Sequence, residues 1–116
     1  MEHMKMVHVS DLCEEIPSGQ MVMVVGWFEN YTPYGGAALL VSPEKECSKS
    51  IDIELAACDV SHYVPHCLCR LVGRYYHENG KNHIKVMSIN FIPNWQYENI
   101  SKIIEIRKEG NFHEDF

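Results

Sequence analysis

The clearest pattern in this chain is an alternation of apolar and polar residues at every second position. It is most regular at residues 50–55, where Ile51, Ile53 and Leu55 alternate with Asp52 and Glu54. Period-two alternation is typical of a strand with one buried face. Comparable β-prone runs separated by turn residues predict strands at 20–31, 37–42, 50–55, 67–77 and 83–92. A short helix is predicted at 58–65, between the third and fourth of these strands.

Two of the predicted strands contain an internal glycine. Gly26 lies within residues 22–28 and Gly73 within residues 68–75, each directly after a valine. Glycine weakens a strand unless the backbone must bend sharply or approach another strand closely. Strands of a small barrel bend in this way. The sequence therefore predicts an all-β, five-stranded OB-fold barrel over residues 19–93, with Phe28 and Tyr75 facing inward.

The periodicity changes after Pro93 and predicts a helix over Trp95–Glu109, with Asn94 as its N-cap and Gly110 at its end. Residues 1–18 are predicted as a lead-in segment, 94–110 as the helical region and 111–116 as a tail. Apolar side chains cover about 200° of the helix, whereas packing on one barrel needs only about 100°. We predict that the excess binds a partner protein, through Trp95, Tyr97, Ile100, Ile103, Ile104, Ile106 and Arg107. The alternative is a broad helix that fills one end of an oversized barrel.

Composition and charge limit the classes of function. A hydrophobic content of 46% excludes a disordered chain, and a net charge of −6 argues against a free-standing nucleic-acid binder. Aromatic and cationic residues that could contact a single strand are nevertheless present. They are Trp27, Tyr31, Tyr34, Arg74, Tyr76 and Lys81. Because Asp52 and Glu54 face outward nearby and repel phosphate, we predict that any DNA contact is weak and auxiliary. The alternative for the aromatic residues is barrel filling or a protein interface.

A cluster of cysteine and histidine residues offers possible zinc ligands. It comprises Cys58, His62, His66, Cys67 and Cys69. The cluster lacks a C-x₂-C pair, and Cys67 and Cys69 would share a strand face with Leu71, which favours buried thiols. No metal or cofactor is predicted. The odd number of cysteines and the lack of an apolar leader or membrane-length run predict reduced thiols in the cytosol or nucleus.

No motif of a catalytic site is present. The sequence has no nucleophile elbow, no phosphate-binding loop and no H-E-x-x-H helix. The chain is therefore predicted not to be an enzyme.

The glycine-bent strands, the Ile51–Leu55 strand and the terminal helix resemble the smallest subunit of replication protein A. They resemble still more the small OB subunit of the telomere-capping CST complex, whose members open with a segment similar to Lys5–Val9 and a step similar to Gly19-Gln20. The resemblance covers roughly residues 6–109. It implies a nuclear, telomeric subunit whose terminal helix pairs with a larger OB protein in a single-stranded-DNA-binding complex for telomere protection or replication. The alternatives are a subunit of another genome-maintenance complex, of the replication protein A or RecQ–topoisomerase type, or a zinc- or RNA-binding adaptor.

Overall fold

The computed structural model describes residues 4–12, 16–32, 35–43, 49–55, 67–78 and 80–109, with the side chains of the helix described as far as Ile106. Within these ranges lie six strands and one α-helix. They are β1 (Lys5–His8), β2 (Gln20–Thr32), β3 (Ala37–Val41), β4 (Ser50–Glu54), β5 (Cys67–Glu78), β6 (Lys81–Ile92) and α1 (Tyr97–Glu109). All five predicted strands are confirmed, with ends shifted by at most two residues. The helix predicted at 58–65 lies outside the described residues.

The long strand β2 organises the sheet. Along one edge, residues 22–25 pair in parallel with β1 and residues 27–32 pair antiparallel with β3. Along the other edge, residues 20–28 pair antiparallel with β5. The order then runs β3–β4–β6–β5, so that the pairings form a cycle from β2 back to β2. This is the strand order of the OB-fold, a partly open Greek-key barrel. The β4–β6 pairing is short and joins Asp52–Glu54 to His83–Lys85.

The sheet has six strands, and the prediction of five was therefore wrong. The additional strand β1 lies in the segment predicted as a lead-in, and Val9 and Leu12 after it are fully buried. Its four residues show no readable alternation, because Met6 packs on the outer face and Val7 on the inner face while His8 is both polar and buried. His77 Nε2 on β5 also donates to Ile16 O at 2.8 Å, which ties this segment to the sheet.

The main core fills the interior of the strand ring. Phe28 and Tyr75 are fully buried there, as predicted, and Phe91 packs edge-on against Phe28 with ring centroids 5.2 Å apart. The prediction that the two internal glycines lie at close backbone approaches is confirmed. A Cβ on Gly26 would meet Val41 O at 2.8 Å, and a Cβ on Gly73 would collide with Lys85 O on β6. A register shift between Val72 and Gly73 marks a bulge at the second of these points.

A second cluster lies between α1 and the outer face of the sheet. Ile104 of the helix is fully buried against it, together with Met23, Val25 and Leu68. A 3₁₀ turn at Asn94–Gln96 precedes the helix. Asn94 was predicted as the N-cap, but its Oδ1 accepts a hydrogen bond from Leu68 N at 3.4 Å, and no side-chain cap hydrogen bond forms at this turn. This hydrogen bond anchors the 3₁₀ turn, and with it the start of the helix, to β5.

A polar contact holds the far end of the helix. His8 Nε2 on β1 lies 2.7 Å from Glu105 Oε1 and donates to it, although the two residues are 97 positions apart. His8 is buried, whereas the side chain of Glu105 is half exposed. The helix is therefore held on the sheet by an apolar face at its centre and by this hydrogen bond at β1.

Candidate partner and nucleic-acid interfaces

The residues predicted to bind a partner divide into two groups. Ile104 is fully buried in the second cluster, and Tyr97 and Ile100 are partly buried against the same cluster. Trp95, Ile103 and Ile106 are exposed, by 72%, 47% and 66%. The assignment of Ile104 to a partner surface was therefore wrong, because this side chain packs against its own sheet. The side chain of Arg107 lies outside the described part of the helix.

Ile103 and Ile106 on α1, together with Trp95 in the 3₁₀ turn that precedes it, are exposed apolar side chains and are called here the helix surface. At 100° per residue, Ile103 and Ile106 project about 100° and 160° away from the buried Ile104. The helix therefore carries one apolar face toward its own sheet and a second toward solvent. Large apolar side chains left exposed on neighbouring elements are typical of protein contact sites.

Two of the predicted DNA-stacking residues are packed within the protein. Trp27 lies in the second cluster beneath the helix. Tyr31 packs on the main core, with its ring centroid 5.7 Å from that of Phe28. Both are half-buried, so neither offers a free stacking platform, and their predicted role is not supported by this geometry. The cluster against which Trp27 packs also contains Ile104 of the helix, and strand alternation does not reveal such long-range packing. Tyr34 lies outside the described residues.

The other predicted DNA-contacting residues lie on the β5–β6 hairpin. Tyr76 stacks on His83, directly opposite on β6, with centroids 5.4 Å apart and ring planes at 24°. Lys85 Nζ lies 5.9 Å from the centroid of the Tyr76 ring. Arg74 faces Lys85 across the pair of strands and donates from Nη1 to Gly19 O at 2.9 Å. Lys81 is exposed at the start of β6.

Sequence reasoning did not include His83 among the candidate residues. The signal was available, because the turn at Gly80 sets the register of the hairpin and places residue 83 opposite Tyr76. Cross-strand pairs of this kind lie close enough for their side chains to interact.

Carboxylates border this group of residues on one side. Asp52 and Glu54 are exposed on β4, as predicted, and their partners in register on β6 are His83 and Lys85. Glu54 Oε1 lies 4.0 Å from His83 Nε2. The outer surface therefore changes from acidic on β4 to cationic and aromatic on β5 and β6.

The described cysteines are free thiols that differ in exposure. Cys69 is buried in the main core and Cys67 is partly buried. Burial raises the pKa of Cys69 from 9.0 to about 12, and the neighbouring Cys67 contributes in the same direction. No group of three metal-ligating side chains occurs among the described residues. Cys58, His62 and His66 lie outside them, so the zinc alternative, against which the spacing of the cluster argues, is not tested by the described residues.

Cys69 is expected to resist alkylation in the folded protein. The raised pKa lowers the thiolate fraction at neutral pH far below that of an ordinary cysteine, and burial also blocks the reagent. Iodoacetamide labelling followed by peptide mass spectrometry should show modification at Cys67 well before Cys69. In denaturant the two should react alike. Fast labelling of Cys69 in the native state would contradict its placement in the core.

The described part of the chain contains no helix long and apolar enough to cross a membrane.

The fold and these surfaces define a small OB-fold domain with an N-terminal strand and a C-terminal helix. Neither a protein-family model nor a curated protein matches the sequence. Solved structures do match. A chain of the S. pombe Stn1–Ten1 complex superimposes with a TM-score of 0.66 at 17% identity, over 94% of this chain and 95% of that one. A chain of U. maydis replication protein A bound to single-stranded DNA gives 0.64 at 15% identity, over 94% and 93%.

A third match covers a smaller part of this chain. An OBody bound to hen egg-white lysozyme gives a TM-score of 0.60 at 13% identity, over 78% of this chain and 93% of that one. Each of the first two matches includes nearly the whole of both chains. Each therefore covers more of this chain than the third match does. The chain therefore resembles, in fold and in extent, one chain of the Stn1–Ten1 complex and one chain of replication protein A.

Proposed function

We propose that this protein is a non-catalytic OB-fold subunit that pairs with a larger OB-fold protein in a single-stranded-DNA-binding complex for telomere protection or replication. Its site of action would be the nucleus, at chromosome ends. The observation that carries the proposal is the helix surface of Trp95, Ile103 and Ile106, which remains exposed although α1 packs Ile104 on its own sheet.

The energetics favour a protein at this surface. Burying a large apolar side chain contributes on the order of 1.5–3 kcal/mol, so three such side chains make a substantial centre for an interface. Tryptophan is among the residues most enriched at such centres. The net charge of −6 supports a role as an assembly subunit, because sequence-independent DNA binding requires cations along the backbone path.

The fold matches support the choice of complex. One match comes from an assembly described as Stn1–Ten1 and another from replication protein A bound to single-stranded DNA. The first is a complex by its description and the second is bound to single-stranded DNA, and each contains an OB-fold chain of the same extent as this one. The alternative of another genome-maintenance complex, of the replication protein A or RecQ–topoisomerase type, rests on the same fold.

Partner capture tests the proposal. The full chain, tagged at its N-terminus and expressed at native level in its source cells, is purified at moderate salt and its companions are identified by mass spectrometry. We expect a larger OB-fold protein in stoichiometric amount. Recovery of the chain alone, or with partners that have no OB-fold and no link to single-stranded DNA, would contradict the proposal. Stoichiometric zinc in the purified protein would instead favour the adaptor alternative.

A further inference from the structure

The positive charge of this acidic protein is concentrated in the β5–β6 hairpin. Residues 67–92 contain four cationic side chains and one carboxylate, Glu78, and so carry a formal charge of +3. Since the whole chain carries −6, the remaining residues carry −9. The four cations are Arg70, Arg74, Lys81 and Lys85.

These cations share the outer surface of the hairpin with a stacked pair of rings. Arg70 is exposed, and Arg74 lies four residues further along the same strand. Arg74 is paired in register with Lys85, and the next outward pair toward the turn is Tyr76 with His83. One face of the His83 ring lies on Tyr76, and about a third of its side chain remains exposed. We call these six residues, Arg70, Arg74, Tyr76, Lys81, His83 and Lys85, the hairpin patch.

We propose that a single strand of nucleic acid passes along the hairpin patch, with its phosphates on the cations and a base against the Tyr76–His83 stack. This inference rests on the proposed function and names where this subunit touches the strand. Cations that follow the backbone, combined with aromatic faces for the bases, are the two elements of sequence-independent single-strand binding.

The neighbouring acidic surface sets the direction of the path. The outward residues of β4 are Asp52 and Glu54, and Glu29 on β2 is opposite Leu39 of β3. A strand crossing β3 and β4 would place phosphates beside these carboxylates at an energetic cost. Along β5 and β6 the same phosphates meet Arg70, Arg74 and Lys85. The carboxylates of β4 therefore form the border of the path.

A titration of the whole ¹⁵N-labelled chain with a thymidine oligonucleotide tests the inference. The oligonucleotide has about 12 residues, which is within the range that one OB-fold covers. We expect amide shifts at residues 70–76 and 81–85, a dissociation constant above about 10 μM, and a log–log salt slope of about −3 from four phosphate contacts. Shifts centred on β3 and β4, or none at millimolar oligonucleotide, would overturn it.

Matched variants separate charge from stacking. Lys85→Ala should weaken binding several-fold and reduce the salt slope by about 0.7, while Lys102→Ala on the exposed side of α1 should change neither. His83→Ala should weaken binding about 5-fold or more and leave the slope almost unchanged. Equal effects of the two lysine variants, or unaltered binding by His83→Ala, would contradict the assigned path.

A parallel titration with a polyglutamate peptide tests whether the hairpin patch binds an acidic protein segment instead of nucleic acid. If it shifts the same amides with equal affinity, the patch recognises acidic peptide and the nucleic-acid path is wrong. If the partner is captured but the oligonucleotide causes no amide shifts, the proposed function stands and the nucleic-acid path is wrong. If the shifts occur but no OB-fold partner is captured, the path stands and the proposed function is wrong.

Discussion

Gly73→Ala is expected to destabilise the protein by about 3–5 kcal/mol, which is a large fraction of the stability of a small domain. The added methyl group would collide with the carbonyl oxygen of Lys85 and approach Ile84 Cγ2 to 2.9 Å. The first of these neighbours is backbone in a paired strand, so relief requires the β5–β6 pairing to shift. Urea denaturation of the purified variant measures the loss, and a low yield of folded protein is the accompanying expectation.

The matched control is a glycine-to-alanine substitution at Gly35, where the added methyl group has space. Gly35 lies in an exposed turn, its backbone is not left-handed, and among the described residues an added Cβ would meet Thr32 at an ordinary 3.8 Å. Gly35→Ala should therefore remain within about 0.5 kcal/mol of the parent. If the two variants unfolded at the same urea concentration, the close approach at the bulge, and the strand register that depends on it, would be wrong.

The double variant Ile103→Asp, Ile106→Asp is expected to lose the partner while the chain stays folded. Both side chains are exposed in the isolated protein, so their replacement should change its stability by less than about 1 kcal/mol. In the complex the two carboxylates would be buried without partners, and we expect affinity to fall on the order of 100-fold or more. Co-purification followed by titration of the purified partner measures the effect.

Two controls identify the cause of that loss. Lys81→Glu changes the net charge by the same two units at the exposed turn of the β5–β6 hairpin, outside the helix surface, and should retain the partner. Ile104→Ala should instead lower the stability of the isolated chain by about 2–5 kcal/mol, because its side chain fills the second cluster. Full partner binding by the double aspartate variant would place the interface elsewhere on the protein.

The alternation of apolar residues determined much of the fold. Because a half-buried strand must present every second side chain to the core, residues 50–54 and their counterparts could be assigned from sequence to within two residues. Gly26 and Gly73 could be interpreted in the same way, since a glycine between apolar β-formers is retained only where a Cβ does not fit. The outward direction of Asp52 and Glu54 followed from the same period.

The terminal helix shows what the sequence left undetermined. The breadth of its apolar arc indicated more than one contact, but the helical wheel contains no reference direction. Sequence reasoning therefore placed Ile104 with Ile103 and Ile106 in one partner surface. Docking on Met23, Val25 and Leu68, with Glu105 accepting from His8, assigns Ile104 to the chain's own core.

Tertiary structure likewise decided the roles of β1 and of the aromatic residues. Residues 5–8 became recognisable as a strand only beside β2, because Met6 and Val7 pack on opposite faces against two different clusters. Trp27 alternates outward as a strand residue should, yet it packs against the second cluster. Tyr76 and His83, distant by seven residues, form a stacked pair through the hairpin register. Local backbone geometry determines the face of the strand on which each side chain lies, so that face can be read from the sequence. Which other segment covers the side chain depends on contacts between distant parts of the chain, and local periodicity does not encode these contacts.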